Sequence, residues 1–134
     1  MKLALKSVIG AMLLNVSFNS FAVSDPELSQ SHSILSKQLE LTSSQIEKLD
    51  SLKSEAEKNL ESIDVSSVSD EEIAKSFETG KWNEGGIKQE LDSIGKVQNQ
   101  ARYFRLLYLF RASQVLTPEQ KKKFDTLLKQ HELY

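Results

Sequence analysis

The longest helical pattern of this 134-residue chain runs from Ile87 to Leu116 and reads IKQELDSIGKVQNQARYFRLLYLFRASQVL. Its apolar residues recur every three or four positions from Ile87 through Leu91 to Tyr108, which is the period of a helix with one buried face. From Ala101 onward the apolar side chains point in every direction around the helix. One small neighbouring helix cannot cover such a surface. We therefore predict one long helix that is buried, paired with another chain, or open to a ligand.

Start signals predict shorter helices on both sides of the long one. Asp25 followed by Pro26 is a typical helix start, and Thr42 with Gln45 has the capping-box pattern. Ser69 to Glu72 repeats that pattern, and Pro118 marks the last start. These signals predict helices over 25–38, 43–62 and 70–78, an N-cap of the long helix at Asn83, a packing anchor at Trp82 and a final helix after Thr117. No strand pattern occurs, so the predicted fold class is all-α.

The first residues have the features of an export signal. Lys2 and Lys6 precede an apolar run that opens with Val8, and the small residues Ala22 and Ser20 lie one and three positions before the expected cut. We predict a secretory signal peptide over residues 1–22, cleaved after about Ala22, and one helical domain over 23–134. The apolar run is shorter than the ~18 residues that a membrane-spanning helix needs. The chain has no cysteine, which excludes disulfides and thiolate metal sites.

Charge is distributed unevenly along the predicted mature chain. Residues 23–95 contain seven Lys or Arg and sixteen Asp or Glu, whereas residues 96–134 contain eight and three. One interpretation is complementarity within or between chains. The other is a basic, aromatic surface that attracts acidic partners. Nucleic acid is not an expected partner, because no recognition motif accompanies the basic region.

No catalytic or metal-binding pattern is present in the sequence. His32 and His131 are the only histidines, and no nucleophile elbow, phosphate-binding loop or metalloprotease motif occurs. A metal site needs several ligands in one place, and nothing in the sequence brings them together. We expect no enzyme activity, no cofactor and no metal site, and we expect His32 to pack beside Leu28 and Leu35.

A twelve-residue pattern occurs twice in the chain. Residues 41–52 read LTSSQIEKLDSL and residues 116–127 read LTPEQKKKFDTL, with six identical positions. Two copies of Leu-Thr-x-x-Gln on either side of a long helix, in a chain with a signal peptide, resemble the Spy/CpxP (LTXXQ) family of periplasmic proteins of Gram-negative bacteria. We interpret the motif residues as structural helix caps. They are Leu41, Thr42, Gln45, Leu116, Thr117 and Gln120.

The resemblance implies a four-helix, hairpin-like protomer whose long helix pairs antiparallel with that of a second copy in an intertwined homodimer. It also implies a periplasmic, ATP-independent chaperone that binds unfolded or misfolded envelope proteins. The alternative is a regulator that binds and damps the periplasmic domain of an envelope-stress sensor kinase, and the third is a metal-responsive stress protein. The chain departs from the family in its acidic mature sequence and its lack of His- or Met-rich segments.

Residues 102–111 are the predicted binding site for such clients or partners. Arginines attract acidic segments, and aromatic side chains provide adaptable apolar contact. The competing interpretation is that these residues form ordinary core and the contact between two copies. The candidate residues are Arg102, Tyr103, Phe104, Arg105, Leu107, Tyr108, Phe110 and Arg111.

Overall fold

The computed structural model describes residues 25–133, and most of this range is helical. The helices are α1 (Pro26–Gln38), α2 (Ser43–Glu61), α3 (Glu71–Thr79), α4 (Glu84–Ser113) and α5 (Pro118–Gln130). No strand occurs within residues 25–133, which confirms the all-α prediction. The five helices of this range are those that the start signals predict, and α3 adds one short helix to the four that the family resemblance implies. The predicted signal peptide, residues 1–22, lies outside the described residues.

Four helix starts have the caps that the sequence predicts. Asp25 Oδ1 accepts the Leu28 N–H at 2.9 Å at the start of α1, and Asn83 Oδ1 accepts the Gly86 N–H at 3.2 Å at the start of α4. Complete capping boxes begin α2 and α5, with Thr42 and Thr117 as the N-cap residues. In each box the threonine hydroxyl accepts a glutamine N–H, and the glutamine Oε1 accepts the threonine N–H.

Helix α4 begins at Glu84, directly after its predicted N-cap Asn83, and ends at Ser113, three residues before the predicted end at Leu116. The N–H groups of Val115 and Leu116 donate to carbonyls three residues back, which tightens the chain after Ser113. This turn buries Leu116 and leads into the extended backbone of Thr117. The thirty residues of α4 make a helix about 45 Å long, long enough to contact different helices along its length.

The main core lies between α2 and the second half of α4, with α1 and α5 completing it. The packing between α2 and α4 is the most extensive helix contact in the described chain. Burial of each large apolar side chain contributes roughly 1.5–3 kcal/mol. The largest side chains that are almost completely buried belong to Leu28, Leu35, Leu49, Leu60 and Tyr108.

The first half of α4 packs against α3 through a second apolar contact. Ile73 and Ala74 of α3 are buried, as are Ile87 and Ile94 of α4, and none of them belongs to the main core. Two sequence predictions fail in this region. Leu91 is 47% exposed because the buried face of α4 passes through Glu90 instead, and Trp82 is 68% exposed rather than a packing anchor.

The capping box predicted for α3 is absent, and a carboxylate from α4 caps this helix instead. Asp70 is the N-cap residue, but its backbone is not extended and its side chain makes no capping hydrogen bond. Glu90 Oε1 accepts the Glu72 N–H at 2.8 Å, and Glu90 Oε2 accepts the Ile73 N–H at 3.1 Å. A negative charge at a helix N-terminus is favourable. Glu90 therefore holds α3 against α4.

The substitution Glu90→Gln is expected to loosen α3 without unfolding the main core. The amide keeps the shape of the side chain but removes the charge and turns one acceptor into a donor facing a backbone N–H. We expect α3 to open more readily by about 1–2 kcal/mol, measured as faster hydrogen exchange of the α3 amides. Glu84→Gln is the control, because Glu84 pairs with Lys88 in an exposed ion pair that contributes little. Equal exchange in the two variants would contradict the capping role.

Within residues 25–133, no helix combines the length and the apolar character that crossing a bilayer requires.

Candidate functional site

The two Leu-Thr-x-x-Gln motifs meet in space through their glutamines. Gln45 Nε2 donates to Gln120 Oε1 at 2.7 Å, and Gln120 Nε2 donates back to Gln45 Oε1 at 3.1 Å. Gln45 Nε2 also donates to the carbonyl of Val115, just before the second motif, at 3.0 Å. Gln120 Nε2 also donates to the carbonyl of Leu39, just before the first motif, at 3.3 Å. Since each Oε1 also accepts an N-cap N–H, both amides use their full hydrogen-bonding capacity. We call this arrangement the glutamine pair.

The glutamine pair joins four helices at one point. It links the first turns of α2 and α5 to the carbonyl of Leu39, just after α1, and to the carbonyl of Val115, just after α4. The sequence predicts the caps but not their meeting. A glutamate at the third helical position would complete a capping box equally well. The recurrence of glutamine at both sites, with a spare NH₂ group on each, is the signal that points to a further partner.

Two of the three predicted arginines have roles within the fold. Arg105 Nη1 lies 3.0 Å from Asp25 Oδ2, and Arg105 Nε lies 2.8 Å from Glu27 Oε2, which anchors the start of α1 to α4. The Asp25 side chain is only 3% exposed. Arg111 Nη1 lies 2.6 Å from Glu55 Oε1 and ties α4 to α2. Arg102 is exposed and has no ion pair within residues 25–133, so it is the arginine available to a ligand.

Tyr108, another predicted binding residue, is buried in a chain of polar contacts. Its Oη lies 2.7 Å from His32 Nδ1, and His32 Nε2 lies 2.9 Å from Asp50 Oδ1. Burial, with the negative charge of Asp50, raises the pKa of Tyr108 above its ordinary value. The phenol therefore stays protonated. In the tautomer that carries its proton on Nε2, His32 donates to Asp50 and accepts the Tyr108 hydroxyl at Nδ1. Tyr108 and His32 connect α1, α2 and α4 rather than face a ligand.

The apolar surface that remains open on α4 is narrower than predicted. Phe104 and Leu107 are half-buried, whereas Tyr103 and Phe110 are 61% and 63% exposed. Leu106, which is not among the predicted binding residues, is 39% exposed between them. Spacings of three and four residues place these side chains on one helix face. Tyr103, Leu106 and Phe110 form what we call the α4 stripe.

The α4 stripe continues at one end into an apolar groove between α4 and α5. This groove has a volume of about 260 Å³, and its apolar lining includes Leu109, Phe124 and Leu128. Arg102 adjoins the stripe at its other end. Within the described part of the chain, no cluster of three or more His, Cys, Asp or Glu side chains is placed to hold a metal ion. The α4 stripe and this groove are suited to apolar contact with an extended chain or a helix.

Comparison with known proteins gives one family match and a structural likeness. The sequence model described as "LTXXQ motif family protein" matches residues 28–128. A solved structure of the Salmonella Typhimurium VirG-like (STV) protein is 32% identical, with a TM-score of 0.67, over 72% of this chain and 88% of that chain. A second STV structure, solved at 2.19 Å resolution, is 31% identical, with a TM-score of 0.64, over 72% and 89%. No curated protein sequence matches this chain significantly.

Proposed function

Because this chain belongs to the LTXXQ motif family, we propose that it is an ATP-independent chaperone that binds unfolded or misfolded envelope proteins. Proteins of the family are generally periplasmic, and membership indicates a stress-related protein. The observation that supports the finer assignment is the α4 stripe. Tyr103, Leu106 and Phe110 lie open along one face of α4, whereas the other apolar residues of its described C-terminal half are buried or half-buried. Contiguous apolar surface of this kind marks interaction sites.

The size of the α4 stripe fits weak and reversible capture. Full burial of one apolar side chain contributes roughly 1.5–3 kcal/mol, so three give at most about 5–9 kcal/mol before the costs of association. A micromolar dissociation constant corresponds to about 8 kcal/mol. Clients would therefore bind with micromolar or weaker affinity and leave without an energy source. Arg102 would add attraction for acidic client segments.

The central test compares two phenylalanines with similar exposure. Phe110 is 63% exposed in the α4 stripe, and Phe77 is 57% exposed on α3. The mature chain should suppress aggregation of two unrelated denatured proteins, without nucleotide, in a light-scattering assay. Phe110→Ser should raise the concentration needed about tenfold, because a tenfold change corresponds to about 1.4 kcal/mol of lost apolar contact. Phe77→Ser should behave like the unmodified chain.

Two results would overturn the chaperone proposal. One is a folded mature chain that suppresses aggregation of neither client, which would favour the sensor-kinase regulator instead. The other is an equal loss of activity in both phenylalanine variants, since the α4 stripe would then have no special role.

The homodimer implied by the family resemblance is part of the proposal. Light scattering on a sizing column should give twice the mass of the mature chain, and Phe110→Ser should keep that mass. A variant that becomes monomeric would show that the α4 stripe is the contact between two copies. Client capture on the stripe would then be wrong.

A further inference from the structure

An open cleft of about 720 Å³ lies between the α2–α3 connection and the middle of α4. This volume falls within the 300–1,000 Å³ typical of ligand sites. Its floor includes Ile63 and Phe104, which are buried and half-buried. Its exposed lining combines polar side chains with one aromatic ring. The residues that carry the argument are Asp64, Ser67, Lys96, Asn99, Gln100 and Tyr103.

Most polar side chains of the cleft have no hydrogen-bond or ion-pair partner in the part of the chain that the structure describes. Within residues 25–133, no hydrogen bond or ion pair engages the side chains of Ser67, Lys96, Asn99 or Gln100. Asp64 accepts the Ser66 N–H at 2.9 Å, and hydrogen bonds from the side chain and backbone of Ser66 lower the pKa of Asp64. The carboxylate therefore remains an acceptor at neutral pH. Donors and acceptors are both available to a ligand.

The aromatic ring of the cleft is placed for stacking. Tyr103 is 61% exposed, and its ring meets that of Phe104 edge-on, with centroids 5.5 Å apart and planes at 70°. This contact holds the tyrosine ring in place at the side of the cleft. An exposed aromatic face beside unpaired amides is suited to a ligand with alternating C–H and hydroxyl surfaces, because the ring packs on C–H groups and the amides bond hydroxyls.

We propose that this cleft binds a neutral glycan chain. Among the described residues that line the cleft, Lys96 is the only cation and Asp64 the only anion, so their charges cancel and the cleft favours a ligand without net charge. The cleft is open rather than enclosed, which suits an extended oligosaccharide more than a compact apolar molecule. The polar lining also separates this site from the α4 stripe, although the two share Tyr103. Glycan binding is independent of the chaperone proposal, because it needs no unfolded client.

The test uses chitotetraose, a neutral tetramer of N-acetylglucosamine, titrated into the mature chain and followed by NMR. Chemical-shift changes should concentrate in residues 62–67 and 96–104. Tyr103→Ala should weaken binding about tenfold, whereas Tyr103→Phe, which keeps the stacking face, should bind like the unmodified chain. Phe77→Ala, an exposed phenylalanine outside the cleft, is the matched control and should also bind normally.

Three results would overturn the glycan site. They are the absence of shift changes up to about 10 mM chitotetraose, changes located outside the cleft, and unchanged affinity in Tyr103→Ala. An unfolded peptide that shifts the cleft residues when chitotetraose does not would assign the cleft to polypeptide binding and would equally overturn the proposal.

Discussion

Gln45→Ala is expected to lower the free energy of unfolding by about 3 kcal/mol, because it breaks the glutamine pair. The Gln45 amide makes hydrogen bonds to Thr42, Val115 and Gln120. Its removal leaves the Gln120 amide and the Val115 carbonyl without these partners in a half-buried site. Each unsatisfied buried group costs roughly 1–3 kcal/mol. Urea denaturation followed by circular dichroism measures the change.

A double-mutant cycle separates the glutamine pair from the individual caps. Gln45→Ala with Gln120→Ala should cost clearly less than the sum of the single substitutions, since the first change already breaks the bonds they share. Gln114→Ala is the control, because Gln114 is exposed and, within the described residues, its side chain bonds only to the neighbouring Ser113. Additive effects in the cycle would show that the two amides do not act as a unit.

Arg105→Ala is expected to destabilise the fold by about 3 kcal/mol rather than to weaken client binding directly. The substitution leaves the Asp25 carboxylate, 3% exposed, without its counter-charge. Asp25 also caps α1 by accepting the Leu28 N–H. Loss of the ion pair should therefore loosen the start of α1 from α4. Thermal unfolding by calorimetry and protease sensitivity near the start of α1 measure the two effects.

Arg102→Ala is the matched control for Arg105→Ala. Arg102 lies on the same helix but is exposed and unpaired within residues 25–133. The substitution Arg102→Ala should leave the free energy of unfolding within about 0.5 kcal/mol of that of the unmodified chain. If Arg105→Ala kept full stability and lost aggregation suppression, the sequence interpretation of Arg105 as a binding residue would be right and the anchoring role wrong.

Local patterns in the sequence predicted the fold well where one short segment contains the whole cause. Thr42 with Gln45, Thr117 with Gln120, and Asp25 before Pro26 each carry their cap within three residues, and the structure has those caps. The cap of α3 was predicted wrongly for the same reason. Its carboxylate, Glu90, comes from about eighteen residues further along the chain, and no local pattern contains that information.

The candidate site was predicted only in part. When apolar residues occur on all sides of a helix, the sequence does not show which side is buried and which is exposed. Periodicity selected residues 102–111 but could not distinguish Tyr108, which is buried, from Leu106, which is partly open. The partners that remove Arg105 and Arg111 from the surface lie on α1 and α2. The positions of those helices depend on packing, so the sequence could not assign the arginines.

The glutamine pair also affects how long the folded state persists. Its members are 75 residues apart, and they meet only after α1, α2, α4 and α5 have docked. Contacts that close such long loops contribute little to early folding, when the chain still loses the entropy of closure. Interactions absent from the folding transition state slow unfolding and leave the folding rate nearly unchanged. We therefore expect the repeated motif to increase kinetic stability, which limits access of proteases to the opened chain.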